Sequence, residues 1–162
     1  MNDKRILALD FGTQMGYAIY ASKVVTSGTI GFHRKKGRKT IPDDHLGHSY
    51  NMFKEWLLDV ILDTCPEIIA FEEVRRFKGN LAAKAFGAWR GIMLQQAASR
   101  DIEVMPFEVG TIKKHATGNG RASKELMIAA AKKYFPDQDI EDDNCADALH
   151  ILRLCMHTLE KL

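Results

Sequence analysis

With 162 residues the chain suits one domain, expected over 1–162, with a core large enough to need no staples. An apolar fraction of 46% is that of a globular protein, and a formal charge of +2 selects no partner by itself. Cys65, Cys145 and Cys155 are odd in number and widely spaced, which excludes a disulfide framework and paired zinc ligands and suits a reducing compartment. No basic start leads into a long apolar segment and no run of about 18 apolar residues occurs, so a cytoplasmic protein without a membrane partner is expected.

The run Arg5 to Leu9 reads as a buried first strand with Asp10 at its C-terminal end. Gly12 and Gly16 are read as bracketing a tight turn, Tyr17 to Tyr20 as the returning strand and Val24 to Phe32 as a third. Hairpins this early favour antiparallel pairing. A basic, loop-like segment follows, His33-Arg34-Lys35-Lys36-Gly37-Arg38-Lys39. Leu46, Tyr50, Phe53, Leu57 and Ile61 have helical spacing up to Pro66, and a strand runs from Glu67 to Phe71. An Ala-rich helix is predicted over Asn80 to Arg100, and a fifth strand over Asp101 to Met105. Gly110 to His115 reads as one or two helical turns, and Gly118 to Gly120 as a flexible loop. Ser123 caps a helix over Lys124 to Tyr134, with Glu125 too early to close a capping box. A last helix starts at Asp142 or Asp143 and ends near Leu159. Hairpins followed by strand–helix–strand predict a mixed sheet with helices packed on it.

Four acids stand out in this frame. Asp10 and Glu72 each follow an apolar strand, and Asp143 and Asp147 share one helix face at i, i+4. Like charges beside packed apolar residues are costly unless a cation compensates them. Four carboxylates can hold two divalent ions about 4 Å apart, a pair that activates water and stabilises the leaving oxygen in phosphodiester hydrolysis. Plainer readings exist for three of them: a turn cap at Asp10, a solvated strand end at Glu72, an N-cap at Asp143. Asp147, among Cys145, Ala146, Ala148, Leu149 and Ile151, is harder to dismiss. Glu73 rivals Glu72, but alternation sends the two to opposite faces. Basic residues are interleaved with the acids. Arg75, Arg76 and Lys78 follow Glu72, while Lys113, Lys114, His115, Arg121 and Lys124 form a later stretch that suits a polyanion or simply a solvated face.

The stretches Ile6-Leu7-Ala8-Leu9-Asp10-Phe11-Gly12-Thr13-Gln14-Met15-Gly16-Tyr17, Ile69-Ala70-Phe71-Glu72-Glu73-Val74 and Ala146-Asp147-Ala148-Leu149, in this order and separation, resemble the RuvC-type Holliday junction resolvases of the RNase H-like superfamily. The likeness runs from about residue 5 to 155. It implies an α/β fold, a mixed five-stranded sheet flanked by helices. It further implies a homodimeric crossover junction endodeoxyribonuclease acting on four-way or branched DNA with Mg²⁺, for which Mn²⁺ substitutes. By position, the family's first aspartate falls on Asp10, its central glutamate on Glu72 and its last aspartate on Asp147. The remaining acid, three residues before the last, is replaced by Asn144, a departure. Asp143 takes that role from the adjacent position, or Asn144 binds through its amide oxygen. The family's basic residues beside the scissile phosphate fall on Lys113 and Lys124, where a point charge would meet growing negative charge. Phe77 resembles the aromatic that wedges against bases in the loop after the glutamate, with a core or dimer-contact role as the alternative. It is flanked by Arg75, Arg76 and Lys78 as phosphate contacts, with Lys114 and Arg121 as further DNA contacts. The helix over Asn80 to Arg100 is the one through which the family dimerises. Small size and an early basic arm resemble compact phage-type members, so a bacterial cell, with a phage-encoded member as one origin, is the expected setting. An RNase H-like nuclease on hybrid or flap substrates, and an inactive branched-DNA binder, are the competing readings.

Overall fold

The computed structural model describes residues 4–32 and 42–161, the first four of the second stretch by backbone alone. The basic run at 33–39 lies outside the described residues. Five strands, β1 (Ile6–Asp10), β2 (Gln14–Ala21), β3 (Val24–Gly31), β4 (Ile68–Glu73) and β5 (Glu103–Glu108), form one sheet in the order β3-β2-β1-β4-β5. The first three pair antiparallel as a meander, and β4 and β5 add in parallel. The parallel pairs are the ones joined through helices, as the sheet geometry requires. Five helices complete the described chain: α1 (Pro42–Thr64), α2 (Asn80–Ala98), α3 (Val109–Thr117), α4 (Lys124–Tyr134) and α5 (Asp143–Leu159).

Alternation along β1 and β4 divides the core in two. Ile6, Ala8, Ile68 and Ala70 pack with Ile112, Met127, Ala146, Leu149 and their neighbours from α3, α4 and α5. Leu7, Leu9, Ile69 and Phe71 pack on the opposite face with Phe53, Leu57, Trp89 and Met93 from α1 and α2. Sheet and helices therefore form three layers, as a mixed sheet with two apolar faces demands.

Several boundaries depart from the sequence reading, that of β4 among them, which runs on past Phe71 to Glu73 so that Glu72 lies within the strand. The fifth strand extends to Glu108, through Pro106, which pairs opposite Phe71. Proline lacks the ladder donor, yet β5 is an edge strand and needs that donor on one side only. The returning strand begins at Gln14, so Gly16 is not a turn residue but a strand residue opposite Asp10. The Ala-rich helix ends at Ala98, and Asp101 turns the chain with φ 54. Ser123 caps α4 as expected, its side chain accepting from the Leu126 amide.

Candidate active site

Leu9 lies opposite Phe71 in the parallel register, so the next residues, Asp10 and Glu72, leave two adjacent strands side by side. Neighbouring strands are separated by about 4.8 Å. Both residues follow the phase of Ala8 and Ala70, so alternation turns them toward the α5 face. Glu73 takes the other phase. Its Oε2 accepts from Arg90 Nε of α2 at 3.2 Å, on the face away from α5.

The N-terminus of α5 is pressed onto the same spot by Gly16. A Cβ at that position would fall well inside contact distance of the Asn144 carbonyl. Only a glycine opposite Asp10 lets the first turn of α5 come this close. Asp142, not Asp143, is the N-cap, its Oδ1 accepting from the Cys145 amide at 2.8 Å and from Thr29 Oγ1 of β3 at 2.7 Å. Asp143 is thereby left free within the first turn, where Lys124 Nζ of α4 donates to it. Asp147 follows one turn on, partly buried.

The electrostatics report the convergence. Burial, then Asp147, Glu72 and Asp143 in that order, hold the Asp10 carboxyl well above its ordinary range, against the lowering influence of Lys124. Glu72 is pushed up to about 7 by burial and by Asp147, opposed by Lys113. Burial and Asp143 raise Asp147 to about 6, opposed by Lys113 and Lys124. Asp143 is lowered, first by its hydrogen bond from Lys124. Lys113 Nζ donates to the Ala122 carbonyl at 3.0 Å, which ties α3 to the approach of α4. Four acids and two lysines expected from the sequence thus share one field. Among the described residues no three of His, Cys, Asp and Glu already stand at metal-ligand spacing. The donor set nevertheless fits hard divalent cations, since its carboxylates repel one another and two of them are raised into the neutral range.

The DNA-contact candidates surround this cluster. Arg75, Arg76 and Lys78 are exposed after β4. Arg75 is engaged by Glu108 at 2.6 Å, a partner invisible in the sequence, and with Arg76 lines a cleft of about 310 Å³. Phe77 is 37% exposed, its ring centroid 5.3 Å from Phe86, which in turn lies 5.8 Å from Phe11 beside Asp10. Lys114 and Arg121 are exposed. Sequence reasoning missed Gly16 as the contact that seats α5, and missed Asp142 and Thr29 as the pair that orients it. A glycine in register with the first acid is the signal that identifies the contact once the pairing is known.

Strand order, hairpin meander and acids at the β1 and β4 ends define the RNase H-like class of folds. The model of the family described as crossover junction endodeoxyribonuclease RuvC matches residues 6–155, and the chain belongs to that family. It is a RuvC-type structure-selective endonuclease of branched DNA. A crossover junction endodeoxyribonuclease RuvC from Rickettsia bellii is 28% identical over 150 residues, covering 89% of this chain and 90% of that one. The fold is similar to that of T. thermophilus RuvC solved in complex with a Holliday junction substrate, with TM-score 0.71, 22% identity and coverage of 91% and 90% of the two chains. It is also similar to the yeast mitochondrial Holliday junction resolvase Ydc2, with TM-score 0.59, 11% identity and coverage of 92% and 77%. No helix among the described residues is long and apolar enough to cross a membrane.

Proposed function

We propose that this endonuclease resolves four-way DNA junctions as a homodimer, with Asp10, Glu72, Asp147 and Asp143 as its catalytic acids and Lys113 and Lys124 as their basic partners. The observation that carries the reading is the seating of the α5 N-terminus, by Gly16, over two acids that leave adjacent parallel strands. Asp10, Glu72, Asp143 and Asp147 would hold two Mg²⁺ ions, for which Mn²⁺ substitutes. Asn144 is the neutral alternative to Asp143, whose carboxylate is the stronger ligand. When bound, the ions supply Lewis acidity to a phosphodiester and lower the pKa of water.

The chain's own residues do the rest. Lys113 and Lys124 add positive charge where a transferring phosphoryl group becomes more negative. Arg76, Lys78, Lys114 and Arg121 hold phosphates, and Arg75 joins them on exchanging Glu108 for DNA. Phe77, half-anchored on Phe86, offers a ring against an unpaired base at the branch point. Specificity then comes from DNA shape and from the spacing of two sites, with base preference secondary.

Cleavage of a synthetic four-way junction against matched duplex, with and without Mg²⁺, is the test. Asp147→Asn is expected to reduce cutting by about a hundredfold or more while junction binding persists, since it removes a direct ligand rather than a supporting group. Normal cutting by that variant would remove Asp147 from the site. Binding without cleavage by the unaltered chain in either metal would favour the inactive-binder reading.

A further inference from the structure

The α3–α4–α5 layer holds a second concentration of charge, opposite in sign to the acid cluster. The Arg153 guanidinium of α5 lies over the Tyr134 ring, 3.6 Å from its centroid. Its Nη1 donates to the His115 carbonyl at 3.1 Å and to His115 Nδ1 at 3.3 Å. An arginine can only donate, so Nδ1 accepts and the His115 proton sits on Nε2. The His157 ring lies 5.1 Å from that of His115. Burial, then the charges of Arg153 and His157, lower His115 to about 4, which keeps it a neutral donor among cations.

Two adjoining cavities open on this cluster. One, of about 320 Å³, is lined by His115, Tyr134, Arg153, His157 and a single acid, Glu160, among others. The other, of about 500 Å³, shares His115 and Tyr134 and adds Lys133. Among the described residues no carboxylate pairs with Arg153, and its Nε and Nη2 meet no acceptor. A fixed guanidinium with unspent donors, beside a histidine N–H and a lysine, is a recognition set for a tetrahedral oxyanion.

We propose that Lys133, Arg153, His115 and His157 form a phosphate-binding site, distinct from the acid cluster, whose occupant is a backbone phosphate of a bound DNA arm. The occupant rests on the branched-DNA reading above. A helix rises about 1.5 Å per residue, which sets Arg153 and His157 about 9 and 15 Å along α5 from Asp147. A duplex carries one phosphate per strand for about 3.4 Å of axis. Since Ala148 to Leu152 of α5 are buried, the arm passes over the outer side of α3 and α4, and this axial offset corresponds to about three to four base pairs.

The test measures junction affinity across salt in the Asp147→Asn background, which separates binding from cutting. Lys133→Gln and Arg153→Gln are each expected to weaken binding several-fold and to lower the log–log salt slope by about 1. Lys132→Gln, on the same helix but lining neither cavity, changes the slope less. Lys133 is exposed, so its variant should melt as the parent does even if Arg153→Gln does not. In parallel, inorganic phosphate is titrated against the chain while the His115 and His157 ring resonances are followed by NMR. Shifts that vanish in Lys133→Gln, with junction binding unchanged, support the site and overturn its DNA occupant. Unchanged junction binding and no phosphate response overturn the site itself. A chain that binds no junction at all counts against the nuclease reading, and the phosphate titration then decides the site alone.

Discussion

The two faces of the sheet are packed with different materials. On the α1–α2 face the core is aromatic: Phe53, Trp89 and Phe32 meet with ring centroids 5.2 to 5.8 Å apart, Phe11 joins them through Phe53, and Phe71 through Phe11. On the α5 face the residues nearest the acids are small: Ala8, Ala18 and Ala70 of the sheet against Ala146 and Ala148 of the helix, with Gly16 at the closest approach. Large interlocking rings remove much apolar area from water. Small residues let two backbones approach, which is what brings helix-borne carboxylates to strand-borne ones. One face contributes mainly stability and the other mainly position.

Substitutions on each face should separate these contributions. Trp89→Ala, at a buried position, is expected to cost about 3–5 kcal/mol in denaturant unfolding. Its junction cleavage per folded molecule, measured at low temperature, should stay near that of the parent. A parallel collapse of cleavage would show that the aromatic face also positions the site. Gly16→Ala should cost less stability, about 1–3 kcal/mol of overpacking. Its cleavage should nevertheless fall far more than that of Trp89→Ala, because α5 must move to admit the methyl group. Equal cutting by both variants would dissolve the distinction.

A smaller effect concerns the charge stored on the α5 face. Glu72 and Asp147 have raised values when folded, about 7 and about 6, against ordinary values of 4.5 and 3.8. The folded, metal-free chain therefore holds protons that the unfolded chain releases, and this contribution to stability declines as pH rises from about 4 to about 7. Thermal unfolding in chelator should show that decline flattened in Glu72→Gln, and Mg²⁺ should raise the melting temperature more at pH 8 than at pH 5. The smallest effect is expected from Glu73→Gln, which removes a part-exposed ion pair with Arg90 worth about 0–1 kcal/mol and should leave the cleavage rate unchanged. A large loss of cleavage there would return Glu73 to contention as the central acid.

Much of this architecture is legible in the chain. The apolar runs before Asp10 and Glu72 locate strand ends, and the i, i+4 spacing of Asp143 and Asp147 places both on one helix face. The fifth strand was less legible because Pro106 breaks the expected pattern, and it is tolerated only at an edge, a property of strand order. Asp143 and Asp142 are equally good caps by type. The choice between them was made by Thr29, distant in sequence, whose hydroxyl holds Asp142. Arg75 reads as a free phosphate ligand until Glu108 is found beside it.

By itself the sequence determined the element types and the phase of most strands, because periods of 2 and 3.6 residues are local properties, while it offered the acids and lysines as candidates through their family resemblance. Tertiary structure decided which acids meet. Parallel pairing set Asp10 beside Glu72, and a missing Cβ at Gly16 let α5 close over them. That outcome depends on which backbones can touch, and contact between residues far apart in the chain follows from packing rather than from any repeat along it.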